Sequence, residues 1–254
     1  AHNLKVGGSN PSPATKKMIK NIRTFYSNIP SVEKVIFILF SLFPISLILG
    51  NFAINLTFLL ISFFFIIDLI LNKNYSFLKN HFFWLLIFFF VSALINLFFS
   101  IDPNNSFPRV LKILFIIPFI ILMKKNLNKY PIEFEKIIFG IWSLIFLITI
   151  FDAIFEIIFG FNTLGFRSPT TFRISGFFGS ELVVGSFLLG FALIFLTSAS
   201  KLIKRYKNII FPIILIIILT SFLIGERSNF IKLIFSFSIF SLFIFQFNLK
   251  RLII

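Results

Sequence analysis

Phe52-Ala53-Ile54-Asn55-Leu56-Thr57-Phe58-Leu59-Leu60-Ile61-Ser62-Phe63-Phe64-Phe65-Ile66-Ile67-Asp68-Leu69-Ile70-Leu71 holds a single charged side chain, Asp68. A transmembrane helix needs about 20 mostly apolar residues to cross the hydrocarbon core. The stretch therefore reads as a membrane span. Seven further windows read the same way, at Val35–Gly50, Phe82–Ser100, Pro108–Met123, Ile137–Phe159, Glu181–Ala199, Asn208–Ile224 and Phe230–Phe247. The expectation is an all-α, polytopic bundle of about eight spans, with no soluble domain. Val35–Gly50 and Phe52–Leu71 form a hairpin that turns at Gly50-Asn51. Pro108–Met123 is short and carries Lys112, which makes it the weakest claim to a span.

Composition agrees. Hydrophobic residues make up 58% of the 254 and aromatics 19%, with 43 Phe. Mean hydropathy is +1.01. Soluble domains hold about 45–50% apolar residues, and no water-soluble fold of this length hides so much apolar surface. Phe, Ile, Asn and Lys all have AT-rich codons, so the Phe excess is partly genome composition and not a binding signature. Cysteine is absent, which excludes disulfides and thiolate chemistry. The two His, His2 and His81, are too few and too far apart for a His-based metal site.

The net charge of +15 does not indicate nucleic acid, because the bases fall in short clusters between apolar runs. With the N-terminus in the cytoplasm, the inside segments carry Lys20, Arg23 and Lys34; Lys73 and Lys79; Lys124, Lys125, Lys129 and Lys136; Lys201, Lys204, Arg205 and Lys207; and Lys250 and Arg251. The outside connections carry only Arg109, Arg167, Arg173 and Arg227, with Lys112 and Lys232 just inside neighbouring spans. The outside bases are thus all Arg, whereas the inside ones are mostly Lys. Lysine is a hydrated point charge suited to headgroups; arginine is a fork that grips phosphate bidentately. Arginine on the disfavoured side calls for a functional reason.

Both ends of the chain are set apart. Residues 1–17 are unlike anything downstream, and Gly8-Ser9-Asn10-Pro11 back-translates to the T-arm of a transfer-RNA gene. This segment is expected to be spurious or disordered, with Met18 the first plausible start and the transmembrane domain running over 18–254. The last residues, Lys250-Arg251-Leu252-Ile253-Ile254, re-enter apolar sequence after a basic cluster and read as a chain interrupted before its next span.

One connection is long, polar and irregular, from Gly160 to Ser180, with Pro169, Thr170, Thr171, Arg167, Arg173 and, after Gly160, the three glycines Gly165, Gly176 and Gly179. It contains Phe172-Arg173-Ile174-Ser175-Gly176-Phe177-Phe178-Gly179-Ser180-Glu181. A second polar stretch, Gly225-Glu226-Arg227-Ser228-Asn229, lies at the outer end of a later span. Arg-x-Ser-Gly before one span and Gly-x-Arg-Ser near the outer end of another resemble the O-antigen polymerase/ligase family of bacterial membrane glycosyltransferases. Phe43-Pro44-Ile45-Ser46 with Gly50-Asn51, Ser100-x-Asp102 with Arg109, and Phe151-Asp152-Ala153-Ile154-Phe155-Glu156 followed by Phe159-Gly160-Phe161-Asn162 also have counterparts there. The resemblance spans roughly Val35 to Phe247.

The resemblance implies an enzyme of the bacterial inner membrane in polysaccharide or lipopolysaccharide biosynthesis. Its donor would be a glycan on undecaprenyl pyrophosphate, and its acceptor another lipid-linked glycan (polymerase) or the lipid A core (ligase). Transfer would take place on the periplasmic side without metal or other cofactor. Arg173 and Arg227 would be the catalytic, pyrophosphate-binding pair, where preorganised cations aid a departing diphosphate. Arg109, Arg167, Glu181 and Glu226 would be substrate-binding. Glu181 is read as complementing a helix N-terminus or pairing with an Arg rather than as a base, and Glu226 as orienting an Arg or accepting a proton. Asp152 and Glu156, one turn apart, would contact sugar hydroxyls or form a solvated helix end. A large periplasmic loop expected of the family has no counterpart in this chain. The competing reading is a transporter or flippase of lipid-linked saccharides; polar groups gathered at one face rather than at mid-membrane speak against it. A non-catalytic scaffold leaves the Arg asymmetry unexplained.

Overall fold

The computed structural model describes residues 24–73, 75–170, 172–179, 181–202 and 207–244. The expectations for residues 1–17, and the basic residues Lys20, Arg23, Lys204, Arg205, Lys250 and Arg251, lie outside the described residues. The protein is an all-α bundle of apolar helices, with no strand among the described residues. In chain order the long helices are α1 (Ser31–Ile48), α2 (Asn51–Asn72), α3 (His81–Phe98), α4 (Pro103–Lys129), α5 (Pro131–Phe159), α6 (Val184–Leu202), α7 (Lys207–Leu223) and α8 (Arg227–Ile244).

Each helix coincides with one apolar window of the sequence. Helices α1 to α5 are long and apolar enough to cross a membrane, while Val184–Ala199 and Pro212–Leu223 are shorter apolar stretches. The largest difference from the sequence expectation is α4, which runs well past Pro108–Met123 at both ends. Its start is set by Asp102, whose carboxylate caps the Asn105 amide at 3.2 Å, and by Pro103 at the first helical position. Proline at 108 and 118 does not end it. Helix α5 passes through a wider π turn at Glu135–Phe139 before its regular part. Glycines with positive φ close α5 at Gly160 and turn the chain between α1 and α2 at Gly50.

Helices α1, α2 and α4 pack together, with α3 against α4; α5, α6, α7 and α8 form the other half, and α1 joins the two by packing on α5. The core between them is aromatic and aliphatic, centred on Phe37, Phe40, Phe134, Phe146, Leu188 and Leu196. Trp142 buries its ring there and donates its indole N–H to the Phe40 carbonyl at 2.7 Å. Edge-to-face pairs such as Phe40–Phe119 and Phe37–Phe134 fill the centre. The outward faces are equally apolar. Phe88 is 73% exposed, Phe63 55% and Leu59 53%, and α3 has no buried residue. An apolar periphery of this extent fits a lipid solvent rather than water.

The two ends of the bundle differ. At one end, where α1 and α5 begin and α2 and α4 finish, Lys125 meets Asp68 at 2.6 Å and Lys129 meets Glu33 at 2.6 Å. Tyr130 also donates to Glu33 at 2.7 Å. At the other end lie the α1–α2 turn, the α3–α4 connection, the long connection after α5, and the α7–α8 turn. Arg109, Arg167, Arg173 and Arg227 all belong to this second end, which we term the arginine end.

Candidate functional site at the arginine end

The long connection between α5 and α6 folds back onto buried carboxylates. Asp152 and Glu156 on α5 are 0% and 2% exposed, so they are not the solvated helix end that one-turn spacing on a helix tip allows. The cause is the connection itself, which covers them. Asp152 Oδ1 accepts from the Thr163 amide at 2.9 Å and the Thr163 hydroxyl at 2.6 Å. Glu156 Oε2 accepts the Gly176 amide at 2.6 Å. Asp152 Oδ2 lies against the same glycine, 3.1 Å from where a Cβ would stand. Gly176 has φ +53, so both backbone conformation and space require glycine there. Asp152 Oδ2 and Glu156 Oε1 are buried and accept no hydrogen bond from the described residues. Such unpaired oxygens are costly in a fold and tend to mark functional ground.

The Arg173-Ile174-Ser175-Gly176 element is pinned at nearly every residue. The Ile174 amide donates to the Ile224 carbonyl at 3.2 Å. The Ser175 amide donates to Ser168 Oγ at 2.7 Å. The Gly176 carbonyl accepts from Asn162 Nδ2 at 2.8 Å, and Asn162 is itself 1% exposed. Arg173, in the middle of this framework, is half-buried. The Ile174–Ile224 bond joins the first polar motif to the second, because Ile224 precedes Gly225-Glu226-Arg227. The fit is close: a Cβ on Gly225 would stand 2.5 Å from the Phe172 carbonyl oxygen, and Gly225 has φ +86. Two segments about 50 residues apart in sequence thus meet through their backbones. Arg227 opens α8 and is exposed; Arg167 is exposed in the same connection as Arg173.

The remaining residues are placed differently. Glu226 is 5% exposed. Its Oε1 accepts the Gly185 amide at 3.0 Å in the first turn of α6, and its Oε2 meets the side-chain amide of Asn229 in the first turn of α8. One carboxylate therefore serves the positive ends of two helices. Asn229 also donates to Ser186 Oγ at 2.9 Å, which strengthens the same junction. Helix α6 begins at Val184, so Glu181 stands in the connection, where it accepts from Asn51 Nδ2 at 3.2 Å and ties this end to the start of α2. Arg109 is exposed in the first turns of α4, which packs chiefly on α2 and α3. The geometry thus unites Arg173, Arg227 and Glu226, keeps Arg167 in the same connection, and leaves Arg109 on another part of the end.

Among the described residues the carboxylate–cation pairs are Lys125–Asp68 and Lys129–Glu33, both at the opposite end. None of the four arginines has a carboxylate of the described residues within salt-bridge distance. The charge of Arg167, Arg173 and Arg227 is thus neutralised by no direct carboxylate contact among the described residues, while Arg109 acts on Asp102 at longer range. Among the described residues, no three His, Asp or Glu side chains gather as metal ligands. Asn162 and Asn229, quoted within the motif stretches, and Ser168, all of which build the framework, were given no role of their own by the sequence reading. The signal that could have found Asn162 is its place just after the Gly160 cap, a position that favours a side chain bonding its own loop amides. Asn162 Oδ1 does accept the Leu164 and Phe166 amides, at 3.1 and 2.8 Å.

Comparison with known protein families, with curated proteins and with solved structures finds no match.

Proposed function

We propose that the chain is the membrane core of a glycan polymerase or ligase that transfers an undecaprenyl-pyrophosphate-linked oligosaccharide to a lipid-linked acceptor. The acceptor is a second lipid-linked glycan or a lipid A core, and the arginine end faces the periplasm, with the N-terminus in the cytoplasm of a bacterium. The acceptor hydroxyl displaces the lipid pyrophosphate at the anomeric carbon; the bonding pair leaves with the pyrophosphate oxygen, and the departing pyrophosphate takes up the hydroxyl proton. Arg173 and Arg227 stabilise that departing charge, with Arg167 assisting. The observation that supports this reading is the Ile174–Ile224 backbone bond, which couples the two arginine-bearing motifs on one end of an oily bundle. A rigid seat for cations facing a developing anion is what electrostatic catalysis requires. Glu226 and Glu181 act in this scheme through the framework rather than on the sugar.

The test is transfer from a synthetic undecaprenyl-pyrophosphate oligosaccharide in proteoliposomes, with release of undecaprenyl pyrophosphate as readout. Arg173→Lys and Arg227→Lys should each lower the rate by about 10²–10³ while membrane insertion is unchanged. Wild-type rates from both variants end the catalytic assignment. Sidedness is tested separately, because the chain has no Cys of its own. Phe172→Cys and Ser228→Cys should react with an impermeant maleimide added from the periplasmic side; labelling only from the cytosol refutes the orientation.

A further inference from the structure

At the end opposite the arginines, a cavity of about 430 Å³ opens between α2, α3, α4 and the short 3-10 turn at Ser76–Lys79. Its lining is mixed. Lys124, Lys125, Lys129 and Asn128 of α4 line it together with Asp68 of α2 and with aromatic and aliphatic side chains such as Phe65 of α2 and Phe83 of α3. Two of the three ammonium groups are already compensated: Lys125 by Asp68 and Lys129 by Glu33, each at 2.6 Å. Lys124 has no such partner among the described residues. Its Nζ lies 5.5 Å from the centre of the Phe82 ring, a contact that leaves its full positive charge in place. The cavity thus presents one uncompensated cation, amide groups beside it, and an apolar wall along α2 and α3. Because α3 buries no residue and packs chiefly on α4, the wall runs out to the lipid-facing periphery.

We propose that this cavity binds the headgroup of an anionic phospholipid, with the phosphate at Lys124 and Asn128 and an acyl chain along Phe65 and Phe83. Charge selects the anionic headgroup. The apolar wall selects a lipid over a free phosphate. This site lies at the other end of the bundle from the arginines and does not depend on the transfer reaction.

The experiment compares thermal unfolding and lipid affinity of the purified chain in neutral detergent, titrated with phosphatidylglycerol, phosphatidylcholine or inorganic phosphate. Phosphatidylglycerol should bind about fivefold tighter than phosphatidylcholine, the effect of one ammonium near an anionic headgroup. Inorganic phosphate at equal concentration should leave the unfolding temperature unchanged. Lys124→Gln should bring the two lipids to within about twofold, whereas Lys136→Gln, an exposed lysine at the same end but outside the cavity, should keep the preference. If Lys124→Gln cannot be purified, Asn128→Asp replaces it and should abolish the preference by placing a carboxylate in the lining. Equal binding of both lipids by the wild type, or an unchanged preference in Lys124→Gln or its replacement, overturns the proposal. Stabilisation by inorganic phosphate equal to that by phosphatidylglycerol overturns the lipid assignment.

Discussion

Glu226 and Gly185 offer a sharp test of how the arginine end is held. Glu226 is 5% exposed and accepts the Gly185 amide at 3.0 Å. Glu226→Ala removes a charge-assisted hydrogen bond worth about 1.5–3 kcal/mol and leaves a buried amide unpaired. It also strips an anion from the N-termini of α6 and α8, which in a buried setting is worth up to about 2 kcal/mol. The two effects overlap, so the expected cost is about 2–4 kcal/mol. Gly185→Ala probes the same contact from the other side. Helix propensity alone makes Gly to Ala stabilising by about 1 kcal/mol. Here the new Cβ would stand 2.8 Å from Glu226 Cδ and Oε2 and 2.9 Å from its Cβ, closer than atoms pack. Overpacking of this kind costs about 1–3 kcal/mol, so the sign should reverse. In the double variant the methyl added at position 185 enters space that the carboxylate has vacated. The double should therefore be less destabilised than the sum of the singles by about 1–2 kcal/mol. The assay is equilibrium unfolding in mixed detergent micelles, read by Trp fluorescence and repeated for all four proteins. Additivity within about 0.5 kcal/mol, or a stabilising Gly185→Ala, would refute the packing on which the junction is argued.

Two further outcomes follow from the same end of the molecule. Gly225→Ala should lower stability by about 2 kcal/mol or more, since the residue has φ +86 and its Cβ would meet the Phe172 carbonyl at 2.5 Å. It should also raise proteolysis in the connection that carries Arg173; a variant as protease-resistant as wild type would show that the two motifs are not coupled there. The second concerns Asp102, whose carboxyl is held below its ordinary value mainly by the backbone amide of Asn105, then by the Asn105 side chain, with Arg109 adding a smaller pull. A depressed folded value means that the cap supports α4 above the ordinary carboxylate range and is lost as pH falls through the lowered value. Amide exchange at Asn105 and Ser106, corrected for intrinsic rate, should lose protection on acidification below about pH 4. Asp102→Asn should flatten that dependence; a wild-type profile in the Asn variant would remove the carboxylate as its cause.

Much of the architecture was legible because lipid-facing helices carry their signal in plain composition. Each apolar window became a helix, and the described connections lie at two ends of the bundle. Boundaries were less legible, and for a physical reason. Hydropathy ends where polar residues begin, but α4 continues through Lys124, Lys125 and Lys129, because two of those ammonium groups find carboxylates on α1 and α2. Helix α6 starts three residues after Glu181, whose carboxylate accepts from Asn51 rather than capping its own helix. At the candidate site the arginines were visible from their side chains alone, as unexplained cations on one end. What holds them was not visible, because it is backbone chemistry between distant segments. The Ile174–Ile224 bond and the close approach at Gly225 leave no trace in composition. Asp152 and Glu156 are the most instructive pair. Helical spacing put them on one face, and polarity argued for solvent, yet the connection that follows α5 folds over them and donates its own amides. Their burial fixes Gly176, Gly176 fixes the backbone of Ser175, and Arg173 is held two residues away. If the arginines bind an anion, this floor is what holds the arginine-bearing backbone rigid: Asp152, Glu156 and Glu226 each commit an oxygen to a backbone amide, of Thr163, Gly176 and Gly185, and so tie the connection to the helices beneath it.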